Sequence, residues 1–357
     1  MPRRSRHKAG ELVRVRSAEE IAATLDHEGT LNALPFMPEM IRFSGRAFKV
    51  RASAHKTCDN VNESGMRSMD AAVHLEGLHC DGSGHGGCQS RCPLFWRDAW
   101  LEPAPAPDES GGSLSRRSED EHDASTDRGV DQLRHKAARS VLLRGRNPSI
   151  GTYSCQSTEV LAATVPLPSW SPRQYWDDVR SGNITVAALL RGLPVILFNK
   201  YQGLSRRFFP RPLLIRDGRP YPETAGTLQE TPDLRLGIAA GEIVEVRPHA
   251  EILATLDTRG KNRGLGLDPD MVRFCGQRAT VRHRVENRID ERTGELKRMN
   301  NPCLVLDGIA CQGSHHRFCP RAIDSYWREI WLTRVEPGLA GPSATHRSGP
   351  PGVDPSV

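Results

Sequence analysis

The feature that most constrains this 357-residue chain is an internal repeat. Residues 10–26, GELVRVRSAEEIAATLD, recur at 241–257 as GEIVEVRPHAEILATLD, an offset of 231 positions. Self-similarity at a fixed offset indicates a unit that folds the same way twice. The same offset aligns three further pairs of segments without a gap: 38–45 with 269–276, 75–88 with 306–319, and 95–101 with 326–332.

Each copy alternates strand signals with one helix signal. VRVR and VEV have the two-residue period of a strand, and Ser17 followed by Glu20 forms a capping box for a helix running to about Asp26. RAFKVRAS and VHLEGL predict further strands, and DERTGEL in the second copy predicts a turn between strands. We therefore expect a mainly β protein with some α: two homologous small domains, each an SH3-like barrel or an open sheet with one short helix and a Cys-rich loop.

Composition divides the chain further. Residues 102–130 are rich in Pro, Ser, Gly and Asp and lack aliphatic periodicity, which is typical of a disordered linker. The predicted segments are a basic N-terminal tail (1–9), repeat domain 1 (10–102), a disordered linker (103–130), a basic, partly helical middle region (131–235), repeat domain 2 (236–337) and a disordered tail (338–357).

The middle region carries the excess positive charge. Residues 131–235 hold 15 Lys and Arg against 8 Asp and Glu, whereas the two repeats are nearly neutral. Pro172 and Gly182 predict the ends of one helix, and Pro194 predicts a kink or break in the apolar stretch that follows. An anionic partner, either a nucleic acid or a membrane surface, should therefore meet the middle region rather than the repeats.

The whole chain predicts a cytoplasmic protein, with peripheral membrane association as the alternative. No apolar segment follows the basic start MPRRSRHKAG, so we expect no secretory signal, and no apolar run reaches the ~18 residues of a spanning helix. In that compartment the nine cysteines are expected to be metal ligands or reactive thiols rather than disulfides.

Two matching loops predict metal sites. A C-x4-H-x2-C pattern occurs in both copies, and zinc needs a fourth ligand in each. Copy one offers Cys92, whose counterpart is Ile323, and copy two offers Cys275 from a neighbouring predicted strand. The predicted zinc ligands are Cys80, His85, Cys88 and Cys92 in copy one and Cys275, Cys311, His316 and Cys319 in copy two.

Other cysteines leave alternatives open. Cys58 and Cys303 are alternative ligands, although strand pairing in a hairpin places both several residues away from the loops. An all-cysteine set of Cys58, Cys80, Cys88 and Cys92 would suit an iron–sulfur cluster better than zinc. Cys155 has no counterpart in the repeat and is interpreted as a small buried hydrophobic residue.

These patterns favour a binding or scaffold protein with structural zinc and a protein partner over an enzyme. The chain lacks a Gly-rich phosphate loop, a Ser-His-Asp arrangement or a paired-carboxylate motif in a suitable context, so no small-molecule substrate is identified. One alternative is an iron–sulfur or metal-dependent redox component. Another is a protein that binds nucleic acid or anionic membrane through residues 131–235.

Several motifs resemble those of a family of uncharacterised bacterial proteins with the same duplicated domain. They include GE-V-VRS-EEI-ATLD, AHKTCD, HLEGL-C-GS-HGGC, FCPRAI--YWREIWL and, in the middle region, GRNPSIGTYSCQSTEV. The resemblance covers both repeats and part of the middle region, and it implies no activity. It does imply a cysteine at the position of Ser44, which leaves the fourth ligand of the first copy open.

Overall fold

Two antiparallel sheets of five strands each form the framework of the protein. The computed structural model describes residues 3–62, 64–104, 119–168, 171–210 and 213–335. The first repeat contributes β1 (Leu12–Val15), α1 (Ala18–Thr24), β2 (Thr30–Leu31), β3 (Leu34–Pro35), β4 (Ala47–Ser53), β5 (Lys56–Cys58), β6 (Met66–Met69), β7 (Ala72–Leu75), β8 (Trp96–Arg97) and β9 (Leu101–Pro103).

The rest of the chain adds four helices and eight strands to the described elements. The middle of the chain contains α2 (Glu119–Ser140), β10 (Thr164–Pro166), α3 (Arg173–Arg180) and α4 (Val186–Phe208). The second repeat contains β11 (Ile243–Val246), α5 (His249–Leu253), β12 (Lys261–Asn262), β13 (Leu265–Gly266), β14 (Arg278–Ile289), β15 (Leu296–Ala310), β16 (Asp324–Trp327) and β17 (Leu332–Arg334).

The two large sheets have the same strand order. It is β8-β7-β4-β1-β9 in the first repeat and β16-β15-β14-β11-β17 in the second, so strands at offset 231 occupy the same places. In both sheets the outermost strands are unpaired with each other, and within the described ranges no sheet closes into a barrel. The architecture is therefore mixed β and α with open antiparallel sheets, and the predicted SH3-like barrel is not confirmed.

The sequence pattern explains how each sheet buries one face. Val13 and Val15 of β1 are fully buried while Leu12 is exposed, and the equivalent strand β11 has the same alternation. Four fully buried indoles pack in the two cores: Trp96, Trp100, Trp327 and Trp331. The predicted capping box is present at α1, since the Glu20 N–H donates to Ser17 Oγ at 3.2 Å and the Ser17 N–H donates to Glu20 Oε2 at 3.0 Å.

The middle region is built into the first repeat. Leu133 and Ala137 of α2 are fully buried in the first core, and Lys136 Nζ donates to the carbonyls at the end of α1. Strand β10 pairs with β6. Helix α2 therefore occupies the second half of the predicted disordered linker, while residues 105–118 and the predicted tail from 338 lie outside the described residues.

Two other sequence expectations differ from the structure. The described part of the basic N-terminal tail lies against the first repeat, where Arg6 donates to the Leu101 carbonyl at 2.8 Å and His7 is buried. Helix α4 continues through Pro194 instead of breaking there. None of the described helices has the length and apolar character needed to span a bilayer.

The hairpin of each repeat reaches the other repeat. In the first repeat the hairpin is bent into β4–β5 and β6–β7, whereas β14 and β15 form one long ladder. Lys56 Nζ donates to the Arg317 carbonyl at 2.6 Å, and the Gln89 N–H donates to the Asn287 carbonyl at 3.0 Å. Because Lys56 and Asn287 are equivalent at offset 231, the two hairpins interlock reciprocally, each beside the Cys-rich loop of the other repeat.

Candidate metal centres

Both Cys-rich loops fold in the same way, and a glycine makes this possible. We call residues 80–88 the first Cys loop and residues 311–319 the second. In the first loop Gly82 has a φ of +74°, and a Cβ there would lie 2.0 Å from the Cys88 carbonyl oxygen. Gly313 has the same role in the second loop, with a φ of +70° and 2.3 Å to the Cys319 carbonyl oxygen. Only glycine therefore permits the tight turn that brings the cysteines of each loop together.

The first loop brings a thiol and an imidazole onto a buried carboxylate. Glu39 lies on the 3-10 helix Pro38–Phe43 and is 4% exposed. Its Oε1 is 2.8 Å from Cys80 Sγ and 3.3 Å from His85 Nδ1, and the three ligand atoms lie within 4.8 Å of one another. A carboxylate, a thiol and an imidazole at this spacing are donors that one divalent cation accepts together.

The orientation of His85 leaves one nitrogen available for a metal. The ring is fully buried, and its Nε2 lies 3.1 Å from the Ser154 carbonyl, which accepts its proton. The buried Nδ1 faces Glu39 and has no hydrogen-bond partner, and Glu39 Oε2 also has none. Metal-binding histidines commonly donate their second N–H to a backbone carbonyl in this way. A cation between these buried atoms would satisfy both of them.

Three further thiols line the same small cavity. Cys88, Cys92 and Cys155 surround it together with Cys80 and His85. Burial raises the pKa of Cys92, and burial followed by the neighbouring Cys92 raises the pKa of Cys155 to about 12. Burial and Glu39 raise the pKa of Cys80. Burial thus favours the protonated form of Cys80, Cys92 and Cys155, whereas a bound metal ion would favour their thiolates.

The second loop repeats this arrangement with a shorter acidic side chain. Asp270 is equivalent to Glu39, is 1% exposed, and has its Oδ2 3.2 Å from Cys311 Sγ. His316 completes the group, with ligand atoms again within 4.8 Å of one another. Its Nε2 lies 2.7 Å from Asp268 Oδ2, and this hydrogen bond raises the pKa of His316 to about 9.

A cysteine from the first repeat completes the second cluster. The Cys58 thiol donates to Met66 Sδ at 3.9 Å and lies beside Cys319 Sγ, an interaction that lowers the pKa of Cys319 and raises the pKa of Cys58. The residue equivalent to Cys58 is Ile289, whose backbone N–H donates to Cys88 Sγ at 3.4 Å. Both hairpins therefore touch the last cysteine of the opposite loop, but only the hairpin of the first repeat brings a thiol there.

A buried arginine lies between the two clusters. Arg321 is 1% exposed, donates to Ser157 Oγ at 2.6 Å and lies over the Phe95 ring. Its Nε and Nη1 have no hydrogen-bond partner. Its positive charge favours ionisation of Cys92 on one side and Cys58 on the other. A buried guanidinium without a counter-charge is costly, and thiolates bound to metal would supply that counter-charge.

The two clusters differ in their access to solvent. The cavity at the first cluster is narrow, with a volume of about 20 Å³. The second cluster lies in the wall of a cleft of about 690 Å³ between the repeats, which Arg288, Arg317 and Arg321 also line. The first centre therefore has the character of a structural site, whereas the second can be reached from solvent.

Two of the predicted ligands lie elsewhere. Cys275 caps the 3-10 helix Pro269–Phe274 and packs against the second core, because β14 begins only at Arg278. Cys303 pairs with Val285, owing to bulges in the hairpin, and accepts a hydrogen bond from Arg328. The structure brings neither thiol to a Cys loop. Among the other predicted ligands, Cys80 and His85 have ligand atoms within 4.8 Å of each other, and so do Cys311 and His316. Cys88 and Cys92 line the first cavity, and Cys319 lines the cleft at the second cluster.

The sequence does not assign four residues to the clusters in which the structure places them, namely Glu39, Asp270, Cys58 and Cys155. Glu39 and Asp270 lie in the matched segments PEM and PDM, so a carboxylate retained at offset 231 was an available signal. Cys58 was assigned only as an alternative for its own repeat, and Cys155 was assigned to packing. No local pattern links either of these cysteines to the loop it joins.

Comparisons with models of known protein families, with curated protein sequences and with solved structures found no match.

Proposed function

We propose that the chain binds two metal ions, one at each Cys loop, and acts as a metal-stabilised scaffold for a protein partner. One observation carries the proposal: a carboxylate, a thiol and an imidazole converge at equivalent places in both repeats. In the first group, a fully buried imidazole nitrogen has no other partner. The loops supply two homologous metal modules, which the interlocked hairpins hold as one unit.

Zinc fits the first cluster best. Cys80, His85 and Cys88 supply three ligands, and Cys92, Cys155 or Glu39 can complete a tetrahedron in the narrow cavity. Cys58 takes the fourth position in the second cluster, with Cys311, His316 and Cys319 as the other ligands. A closed four-ligand site leaves no open position, which favours a structural role for the first ion.

An iron–sulfur cluster is the second candidate, because the first cavity is lined by four thiols. Such a cluster is commonly held by four cysteines, and the cavity offers Cys80, Cys88, Cys92 and Cys155. Three thiols and one histidine in the second group would then hold a different centre. On this alternative the protein would be a redox component rather than a scaffold.

Metal analysis and a visible spectrum after anaerobic purification distinguish the two. About two zinc ions per chain without visible absorption is the expected result. A coloured protein that contains iron would overturn the zinc assignment. Cys80→Ser and Cys311→Ser should each remove one equivalent of metal, and Cys275→Ser is the matched control because that thiol lies outside both clusters. Full metal content in both loop variants would contradict the proposal.

A further inference from the structure

Helix α4 has an apolar face that points away from the protein. Its exposed face carries six large apolar side chains at spacings of three, four or seven residues, so they form one stripe along the helix. The exposed fractions are 65% for Leu190, 56% for Leu197 and 59% for Leu204. The stripe consists of Val186, Leu190, Leu197, Tyr201, Leu204 and Phe208.

The inner face of the same helix is polar in its C-terminal half. Gln202 is buried and donates to the carbonyls of Ile215 and Arg219 at 2.8 and 2.9 Å. Asn199 exchanges two hydrogen bonds with the backbone of Tyr221. The amphipathicity is thus reversed relative to a helix that faces water, where the polar residues point outwards. An exposed apolar stripe of this length marks an interaction surface.

The charges on α4 favour a lipid surface over a second copy of the chain. The helix contains four cations, Arg191, Lys200, Arg206 and Arg207, and no acidic residue. Lys200 and Arg207 border the stripe, because each follows one of its leucines by three residues, so two copies packed through their stripes would place these cations next to each other. Two such helices would bring like charges together, whereas anionic headgroups neutralise them.

We propose that α4 docks on an anionic lipid bilayer, with its stripe in the headgroup region and with Lys200 and Arg207, which border the stripe, at the phosphates. Gly192 of α4 lies against the buried Phe318 of the second Cys loop, where a Cβ would come within 2.5 Å of the ring. Helix α4 therefore packs directly against the second Cys loop, and its apolar stripe lies on the opposite face of the helix. The proposal does not depend on the identity of the metal.

Vesicle flotation with the full chain tests this proposal. We expect the protein to float with phosphatidylcholine vesicles that contain about one third phosphatidylserine, and to bind pure phosphatidylcholine far more weakly. Leu197→Gln combined with Leu204→Gln should lower the partition about a hundredfold, since two large apolar side chains lose their burial. Lys200→Ser combined with Arg207→Ser should lower the partition about thirtyfold and weaken its dependence on salt.

Ile150→Gln is the matched control, because Ile150 is 73% exposed but lies outside α4. It should float as the wild type does. Two results would overturn the proposal. One is the absence of flotation with either vesicle. The other is a wild-type dimer that Leu197→Gln with Leu204→Gln converts to a monomer, which would assign the stripe to a second copy.

Discussion

Replacement of Cys58 by serine is the sharpest test of the interlocked centres. Cys58 belongs to the first repeat by sequence, yet its thiol contacts Cys319 in the second. Cys58→Ser should therefore remove the metal of the second centre and leave that of the first. A prediction based on the repeat alone gives the opposite result, because it assigns Cys58 to its own copy.

The size of the effect follows from ligand loss. Loss of even an outer-shell partner of a metal ligand weakens metal affinity about 10- to 100-fold, and a direct ligand should cost at least the upper value. With free zinc at a thousand times the dissociation constant, binding stabilises the fold by about 4.1 kcal/mol. A hundredfold weaker site retains about 1.4 kcal/mol of this, so the variant should lose about 2.7 kcal/mol. For a chain of this length the melting temperature should fall by about 4 °C.

Thermal unfolding at fixed free zinc measures the loss of stability. Metal content by mass spectrometry is measured after dialysis to free zinc about ten times the dissociation constant of the wild-type site, where a hundredfold weaker site is only about one-tenth occupied. The matched control is Cys303→Ser, which removes another buried thiol that contacts neither Cys loop. Cys58→Ser should hold one metal per chain and Cys303→Ser two. The reasoning fails if Cys58→Ser retains both metals and its full thermal shift with zinc, or if it loses the first metal instead.

Three further results are expected. Gly82→Ala should remove the first metal, because its Cβ would overlap the Cys88 carbonyl. Gly77 has a similar φ but open space around it, so Gly77→Ala should keep the metal and cost only about 1 to 2 kcal/mol in urea unfolding. Equal losses of metal in the two variants would contradict this. Lys56→Met should destabilise the fold by about 3 to 5 kcal/mol in the same assay, because the buried Asp178 carboxylate loses the lysine ammonium and keeps only His55 Nε2 at 3.1 Å. A neutral effect would refute this prediction. Burial opposes ionisation of Asp290, but hydrogen bonds from Lys297 and the turn backbone hold its pKa at about 2. The ionised carboxylate therefore stabilises the fold fully above about pH 4, and this contribution is lost as the pH falls towards 2. Asp290→Asn should flatten the dependence of the unfolding free energy on pH in this range.

Local structure could be predicted from this sequence where short-range chemistry determines it. The capping box at α1 and the DERTGEL turn are present because each depends on residues only a few positions apart. Helix α2 was missed because its N-terminal part, within the predicted linker, is rich in Asp, Ser and Glu, and the burial of Leu133 in the first core stabilises it. That contact is tertiary, so no window of the sequence contains it.

The same limit explains which metal ligands were found. The loop residues Cys80, His85 and Cys88 were predicted because they lie within nine positions and recur at offset 231. Cys275 was placed on a strand by counting back from the turn, but the strand starts later and bulges shift the register. A one-residue error in register moves a side chain to the other face of a sheet, so hairpin counting alone could not locate a fourth ligand.

The interlocked hairpins explain why the two copies carry different thiols. Each hairpin places one residue on the last cysteine of the opposite loop, and that residue is Cys58 in one direction and Ile289 in the other. Where isoleucine arrives, two further thiols, Cys92 and Cys155, line the narrow cavity. Where cysteine arrives, Ile323 occupies the position equivalent to Cys92, and the cluster lies in the wall of the cleft. The strand order is thus the same in both repeats while the candidate ligands are distributed differently, so on the proposed function neither metal centre would be specified by its own repeat alone.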